Sequence, residues 1–296
     1  MIADASRQLA RRAAIHKAAA SSLGARRARG TVAVALCWVA VAAAAAPLVS
    51  VLVYTAARGI PAFSADFFTQ LPTPAGIPGG GIANAIVGAL IIDGIAAAVA
   101  IPIGVIVGFF LAEQRGAFAN AVRFGADLLA GVPSIAIGLF AYALLVTTLG
   151  HFSALSASFA LAVLMLPIIV RGAESAVRTV SAELWEAGMA LGSTRALVAL
   201  RIIVPTALPG IVTVCLLGIA RAVGESAPLL FTSIGNQFFA FSPAQPMASM
   251  PLVIYLDGIQ AYPDLQRTAW GTALLLVILV LILSVGSRLL ARRFRR

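Results

Sequence analysis

The chain has 296 residues, of which 61% are hydrophobic and only 11% are charged, and its mean hydropathy is +1.00. Soluble domains contain about 45–50% apolar and about 25% charged residues, so this composition excludes an ordinary soluble domain and indicates a membrane protein. The apolar runs are continuous and longer than about 18 residues, which favours spanning helices over the alternating strands of a transmembrane barrel.

Six segments are predicted to cross the membrane as helices, so the predicted fold class is an all-α membrane protein. In chain order they are residues 31–57, 81–111, 122–149, 155–179, 207–233 and 270–290. Pro102, Pro133 and Pro167 lie inside them, and proline in a membrane helix is tolerated and typically marks a kink. The first run is too long for the apolar part of a cleaved signal peptide and is predicted to stay as an anchor.

The basic residues predict the orientation of these spans. If the N-terminus is cytoplasmic, 17 of the 21 Lys and Arg residues fall in inward-facing tails and loops, as the positive-inside rule requires. The net charge of +10 is therefore interpreted as a topology signal rather than a nucleic-acid footprint. The predicted parts are a basic cytoplasmic tail (1–30), a first transmembrane helix (31–58), a periplasmic loop (59–80), a five-helix membrane domain (81–290) and a basic cytoplasmic tail (291–296).

The residues that usually carry chemistry are few and scattered. Cys37, Cys215, His16 and His151 do not have metal-ligand spacing. A phosphate-binding loop of the type G-x-x-x-x-G-K-[ST] needs a lysine, and the single lysine of the chain, Lys17, follows His16. The sequence therefore predicts no catalytic residue, no metal site and no cofactor.

The connection between the fourth and fifth predicted spans, residues 181–205, has the composition of helices rather than of a loop. It reads SAELWEAGMALGSTRALVALRIIVP. Ser181 predicts a helix N-cap and Gly192 predicts a helix end, while Glu183 and Glu186 suit the positive end of a helix dipole. Two short helices with a bend, lying at the cytoplasmic surface, are expected here.

The spacing of this segment resembles the EAA signature of bacterial ABC importer permeases, E-A-A-x3-G-x9-I-x-L-P. The matching residues are Glu186, Ala187, Gly192, Ile202 and Pro205. The chain departs from the signature at Gly188 and Val204. The resemblance implies that the segment is the coupling helix, in which Glu186, Ala187 and Gly192 meet a separate ATP-hydrolysing subunit. The alternative is an ordinary amphipathic surface loop.

Four stretches are more specifically similar to the PstA-type permeases of bacterial phosphate importers. They are GVPSIAIGLFAY (131–142), LPIIVRGAE (166–174), RAVGESAPLLFT (221–232) and GNQF (235–238). The resemblance covers most of the chain from about residue 80, and the sister PstC-type permeases share its Arg-x-x-Gly-Glu core. It implies a type I, MetI-like ABC importer permease fold with six transmembrane helices and a cytoplasmic coupling helix.

The same resemblance implies ATP-driven import of inorganic phosphate across the bacterial inner membrane. The implied partners are a PstC-type sister permease, two copies of an ATP-binding subunit and a periplasmic phosphate-binding protein. The chain would then be a transport subunit and not itself an enzyme. Two alternatives stay open: a permease for another oxyanion such as molybdate or sulfate, and a self-contained channel or secondary transporter. The coupling-like loop argues against the second.

Two pairs of ionisable residues lie inside predicted spans, Arg171 with Glu174 and Arg221 with Glu225. Each such residue costs about 2.5–3.5 kcal/mol at bilayer depth, and both spacings place the partners on one helix face. In one interpretation the arginines line the passage and bind phosphate, while the glutamates keep that binding weak enough for release. In the other, the pairs hold the fourth and fifth spans together.

Two further acids lie in or near predicted spans. Asp93 is predicted to face a lumen or an interface, in a helix that Gly94 breaks. Asp127 lies near the cytoplasmic end of the third span and is predicted to be solvated.

Overall fold

The computed structural model describes the backbone of residues 2–293, and the side chains of residue 11 and residues 29–289. All regular elements among these residues are helical, as the sequence predicts. Residues 294–296, the end of the predicted C-terminal tail, lie outside the described residues. In chain order the helices are α1 Ile2–Gly59, α2 Ala65–Thr69, α3 Ala83–Glu113, α4 Ala117–Gly131, α5 Ser134–Ala141, α6 Thr147–Leu149, α7 Ala154–Arg178, α8 Ala182–Ala190, α9 Arg195–Val198, α10 Val204–Ala222, α11 Ala227–Thr232, α12 Met250–Gly258 and α13 Pro263–Arg293.

The chain divides into two compact units, Met1–Tyr54 and Thr55–Arg296. The first unit is the greater part of α1, which is one helix through both the predicted tail and the predicted first span. The apolar side chains from residue 31 to residue 54, including Trp38 and Val39, are exposed. A helix that is apolar all round is typical of a lipid environment.

Five helical segments of the described chain are long and apolar enough to cross a membrane. They are Arg29–Ala62, Ala83–Glu113, Ala154–Arg178, Arg195–Ala222 and Pro263–Leu289. A sixth crossing is made if the pair Ala117–Gly131 and Ser134–Leu149 counts as one span, although that pair is bent by 102°. The number of predicted spans therefore agrees with the structure.

The third and fifth predicted spans are wrong in one respect, because neither is a continuous helix. The third breaks at Pro133, whose ring pushes the preceding Val132 into an extended conformation. The fifth ends at Ala222, and a short turn separates it from α11. Pro102 and Pro167 lie inside unbroken helices.

Helix α7 is the centre of the second unit, and small residues set how its neighbours approach. Helix α3 runs parallel to it. The Ser158 hydroxyl donates to the Ile92 carbonyl, and further along both helices a Cβ on Gly104 would lie 2.7 Å from Ile169. Helix α10 runs antiparallel to it, with Gly218 facing Ile169 and Gly210 facing Ala176. These contacts fix the relative depth of the three helices.

Two local expectations also need correction. Helix α3 continues through Gly94, so this glycine does not break it. Helix α9 is not a separate surface helix, because it continues through a π-helical turn, Ala199–Ile203, into α10. Of the two short helices predicted for residues 181–205, which we call the coupling segment after the resemblance, only α8 is separate.

Candidate functional site

The breaks at Pro133 and after Ala222 both lie beside the middle of α7. Helix α4 is antiparallel to α7, with Arg123 beside Glu174 and Asp127 beside Arg171. Four more residues bring the end of α4 level with about residue 167 of α7. The register of α10 brings Arg221 level with about residue 166, which is the midpoint of Ala154–Arg178.

The half-helices that follow the two breaks pack against each other. A Cβ on Gly138 of α5 would lie 2.7 Å from the Cα of Pro228 in α11, so this contact requires glycine. The end of α11 reaches the start of α7, where the Ser153 amide donates to the Thr232 carbonyl at 3.0 Å. Residues 131–142 and 221–232, which are distant in sequence, therefore form one structural unit.

Arg221 lies in the last turn of α10, and Glu225 lies in the turn before α11. The Arg221 Nη2 and Glu225 Oε1 atoms are 3.9 Å apart, which is too long for a hydrogen bond, and the side chains are 57% and 21% exposed. The expectation that both residues share one helix face is wrong, because the helix ends between them. The two charged groups are therefore close to each other but not hydrogen-bonded.

Glu174 is buried, with 3% of its surface exposed, and it contacts three arginines. Its Oε1 atom lies 2.7 Å from Arg123 Nε and 2.9 Å from Arg178 Nη2, and its Oε2 atom lies 2.7 Å from Arg171 Nη1. The predicted contact between Arg171 and Glu174 is therefore present, within a larger set. We call Glu174 and these three residues the arginine cluster.

The arginine cluster also holds the C-terminal end of α3. Arg123 donates to the Leu111 carbonyl and, at 3.0 Å, to the Gln114 carbonyl. Arg178 donates to the Leu111 carbonyl at 3.3 Å. Helix C-termini have unsatisfied carbonyl groups and favour cations. One buried carboxylate thus positions two cations that cap a neighbouring helix.

Arg171 also pairs with an acid on α4, since its Nε atom lies 3.0 Å from Asp127 Oδ1. These two side chains are 43% and 56% exposed, so Asp127 is an exposed residue and is also an ion-pair partner. Asp93 is half-buried in α3 and makes no hydrogen bond or ion pair within the described residues.

Sequence reasoning missed Arg123 and Arg178 as partners of Glu174 and counted them only as topology signals. Arg178 follows Glu174 by four residues on one helix, so that spacing alone could have indicated the contact. Arg123 lies 51 residues from Glu174, and no local pattern connects them. Only the packing of α4 on α7 brings this pair together.

The coupling segment begins as expected, with Ser181 at the N-cap of α8, although its hydroxyl makes no capping bond. Gly192 ends this helix with φ +81°, a conformation that favours glycine. Gly188 is buried, and a Cβ there would lie 2.8 Å from Val198. The departure from the EAA signature at Gly188 therefore has a steric reason. Glu186 and Ala187 are exposed.

Arg195, the first residue of α9, connects the coupling segment to α3. Its guanidinium carbon lies 5.4 Å from the centre of the Trp185 ring, and its Nε atom lies 3.6 Å from Glu113 Oε2. The other carboxylate oxygen of Glu113 is buried and has no hydrogen-bond partner among the described residues. Sequence reasoning did not single out Glu113, Trp185 or Arg195 for this link.

The exposure of Arg221 at mid-depth limits what can surround it. A charged side chain at this depth is costly in hydrocarbon and faces a water-filled cavity or another protein. Its guanidinium offers a planar set of donors that fits an oxyanion. The guanidinium of Arg221 is therefore an exposed cation, beside the break in α10, whose donors are not taken up by a hydrogen bond to Glu225.

Residues 100–296 match a protein family described as the inner membrane component of binding-protein-dependent transport systems. The chain belongs to this family. It is 42% identical over 234 residues to the phosphate transport system permease protein PstA of Haemophilus influenzae, covering 78% of this chain and 83% of that protein. It is 40% identical over 227 residues to PstA 1 of Mycobacterium tuberculosis, covering 73% and 72%.

Solved structures of other ABC transporters have the same fold. An inward-facing structure of the MetNI methionine ABC transporter aligns with a TM-score of 0.61 at 22% identity, covering 73% of this chain and 96% of that one. A bacterial ABC transporter involved in alginate import aligns with a TM-score of 0.52 at 14% identity. The predicted MetI-like permease fold is confirmed, and the chain is a multi-pass inner-membrane permease that associates with other ABC transporter subunits.

Proposed function

We propose that this permease imports inorganic phosphate, with ATP hydrolysis taking place on a separate subunit. The curated relatives named for phosphate transport, which are 36–42% identical, support this substrate. The observation that carries the proposal is the position of Arg221, exposed at mid-depth beside one weakly held carboxylate. A guanidinium recognises phosphate through paired, charge-assisted hydrogen bonds.

In this proposal Arg221 and Arg171 line the passage and bind phosphate in turn. Arg171 lies about five residues, or ~8 Å, closer to the cytoplasm by the register along α7. Glu225 competes weakly for Arg221, which allows the anion to leave. Glu174 belongs to the pathway by holding Arg171 in place rather than by touching phosphate.

The proposed assembly contains this chain, a PstC-type sister permease, two copies of an ATP-binding subunit and a periplasmic phosphate-binding protein. Both termini are cytoplasmic, as the distribution of basic residues favours. The domain division by residues 1–30, 31–58, 59–80, 81–290 and 291–296 is part of the same proposal.

Coupling to the ATP-binding subunit is assigned to α8 and the turn after it. Glu186 and Ala187 are exposed there, and Leu191 beside Gly192 is 85% exposed. Leu184 and Met189 are also exposed on α8, and a group of exposed apolar residues is suited to a groove on another protein. From this surface, Arg195 and Glu113 carry displacement to the end of α3.

Phosphate uptake tests the substrate. Radiolabelled phosphate is supplied to a strain that lacks its own high-affinity phosphate permease and expresses this chain with its partner subunits. Uptake should appear only with the complete set, and excess sulfate or molybdate should not reduce it. Competition by either anion at concentrations similar to that of phosphate would reject phosphate as the preferred substrate.

A matched pair of glutamates on one helix tests the coupling surface. Glu186→Gln, combined with Gly192→Ala, should reduce co-purification of the ATP-binding subunit and uptake together, since the alanine is strained at positive φ. Glu183→Gln is the control, because Glu183 is also exposed on α8 but lies outside the signature. Unchanged association and transport in the double variant would reject the coupling role.

A further inference from the structure

A cavity of about 510 Å³ lies among the elements on the side opposite to the coupling segment. Its walls come from the loop before α3, the loop after α11 and one side of α12. None of the charged residues of the arginine cluster, and neither Arg221 nor Glu225, lines it. The cavity is therefore separate from the residues that are proposed to bind phosphate.

Hydrogen bonds hold the loop after α11 in one conformation. The Ser233 hydroxyl donates to the Met247 carbonyl at 2.7 Å and accepts from the Met247 amide at 3.0 Å. The Asn84 amide group donates to the Asn236 carbonyl at 2.6 Å. Between these anchors Ile234 has φ +59°, which is rare for a β-branched residue. A strained backbone persists only where its surroundings hold it, so this wall is preformed.

Asp257 is the single charged side chain among the residues lining the cavity. Its carboxylate makes no hydrogen bond or ion pair with the described residues, and burial raises the pKa of Asp257 to about 6. Asp257 also lines a small cleft next to the cavity, and Asp264 is a second acidic residue that lines this cleft. An uncompensated carboxylate of this kind favours a cation and repels an anion such as phosphate.

The other lining residues favour a basic side chain over a metal ion as the cation that binds here. Leu252, Val253 and Leu256 of α12 form an apolar wall that suits the methylene stem of a long side chain. A hard metal ion would need several oxygen ligands, whereas the cavity offers one carboxylate. The volume suits a side chain with a short flanking segment and is too small for a folded domain.

We propose that this cavity receives a lysine or arginine side chain of the soluble binding protein that delivers phosphate to this permease. The inference rests on the proposed function, which gives the permease an extracytoplasmic binding protein on this side of the membrane. Asp257 neutralises the incoming cation, and the loop containing Ile234 forms the wall against which the stem packs.

The test uses the full transporter, with its sister permease and ATP-binding subunits, in proteoliposomes. The ATPase rate is measured against the concentration of phosphate-loaded binding protein. Asp257→Asn should raise the concentration for half-maximal stimulation at least fivefold and leave the maximal rate unchanged. Asp257→Lys should raise it further, and one Lys→Glu or Arg→Glu change on the binding protein should reverse that effect.

Asp66→Asn is the matched control, because Asp66 is an exposed acid on the same side but outside the cavity. It should leave the half-maximal concentration unchanged. A normal response in Asp257→Asn and Asp257→Lys would overturn the inference while leaving the proposed function intact. Failure of the binding protein to stimulate the native transporter would overturn both.

The pH dependence of the half-maximal concentration of the binding protein is a second test of the same site. Only ionised Asp257 attracts the cation, so for the native chain the half-maximal concentration should fall as pH rises from 5 to 7, through the pKa of about 6. Asp257→Asn should lack this component. Asp264 is the other titratable group at the adjoining cleft and is unchanged in the variant. An identical pH profile in both proteins would contradict the role of Asp257.

Discussion

The two intramembrane charge pairs have almost the same spacing in sequence and opposite surroundings in the structure. Glu174 is buried and in contact with Arg171 at 2.7 Å, together with two other arginines. Glu225 stands 3.9 Å from an Arg221 side chain that is more than half exposed. The difference shows that neighbouring helices, and not the spacing, decide whether the glutamate of such a pair is buried among several arginines or left in one loose contact.

The strongest way to test this contrast is Glu174→Gln. It leaves three guanidinium groups without their carboxylate, and breaking a buried ion pair from one side costs about 3–5 kcal/mol. We expect a lower midpoint of thermal unfolding and a poor yield of the assembled transporter. Glu225→Gln is the matched control and should cost less than about 1 kcal/mol, because that pair is loose and partly exposed. Equal losses in both variants would remove the distinction.

The second prediction concerns Arg221→Gln. We expect phosphate uptake to fall by at least about tenfold, because a hydrogen bond to a charged group contributes about 1.5–3 kcal/mol. Assembly and thermal stability should be normal, since Arg221 has one weak protein contact. Uptake of radiolabelled phosphate and the yield of the complex measure both effects. Arg221→Lys separates a requirement for charge from a requirement for the planar fork. Normal uptake in Arg221→Gln would end its assignment to the passage.

Arg171→Gln should have an intermediate effect. Glu174 keeps Arg123 and Arg178, so the unfolding free energy should fall by about 1 kcal/mol or less, as for a partly exposed pair. Uptake should fall by roughly fivefold, which is the equivalent of about 1 kcal/mol. A loss of stability as large as that of Glu174→Gln, measured by thermal unfolding, would make Arg171 a structural residue only.

The smallest effect is expected for Asp127→Asn. Its side chain is 56% exposed, and its one ion pair within the described part of the chain is with Arg171. We expect a change in unfolding free energy of less than about 0.5 kcal/mol and uptake within about twofold of the native value. A large defect in either measurement would extend the tightly held region from the arginine cluster to the surface of α4.

Much of the fold could be predicted from local properties of the sequence. Long apolar runs indicated the spans, and the EAA-like spacing indicated the short helix α8 with Gly192 at its end. The break at Pro133 could not be distinguished from the tolerated prolines Pro102 and Pro167, and the break after Ala222 contains no proline to mark it. Whether a proline interrupts a helix depends on how tightly its neighbours hold the helix on both sides.

The sequence by itself determined the membrane class, the long apolar segments, the short helix α8 and the family, because hydropathy, charge bias and motif spacing are properties of contiguous residues. Only the tertiary structure decided that Glu174 is shared by three arginines, that Arg221 stands exposed at mid-depth, and that Asp257 lines a cavity. Each of these depends on helices distant in sequence that approach closely where glycine allows it. Partner number and burial are consequences of that packing, and no local pattern contains them.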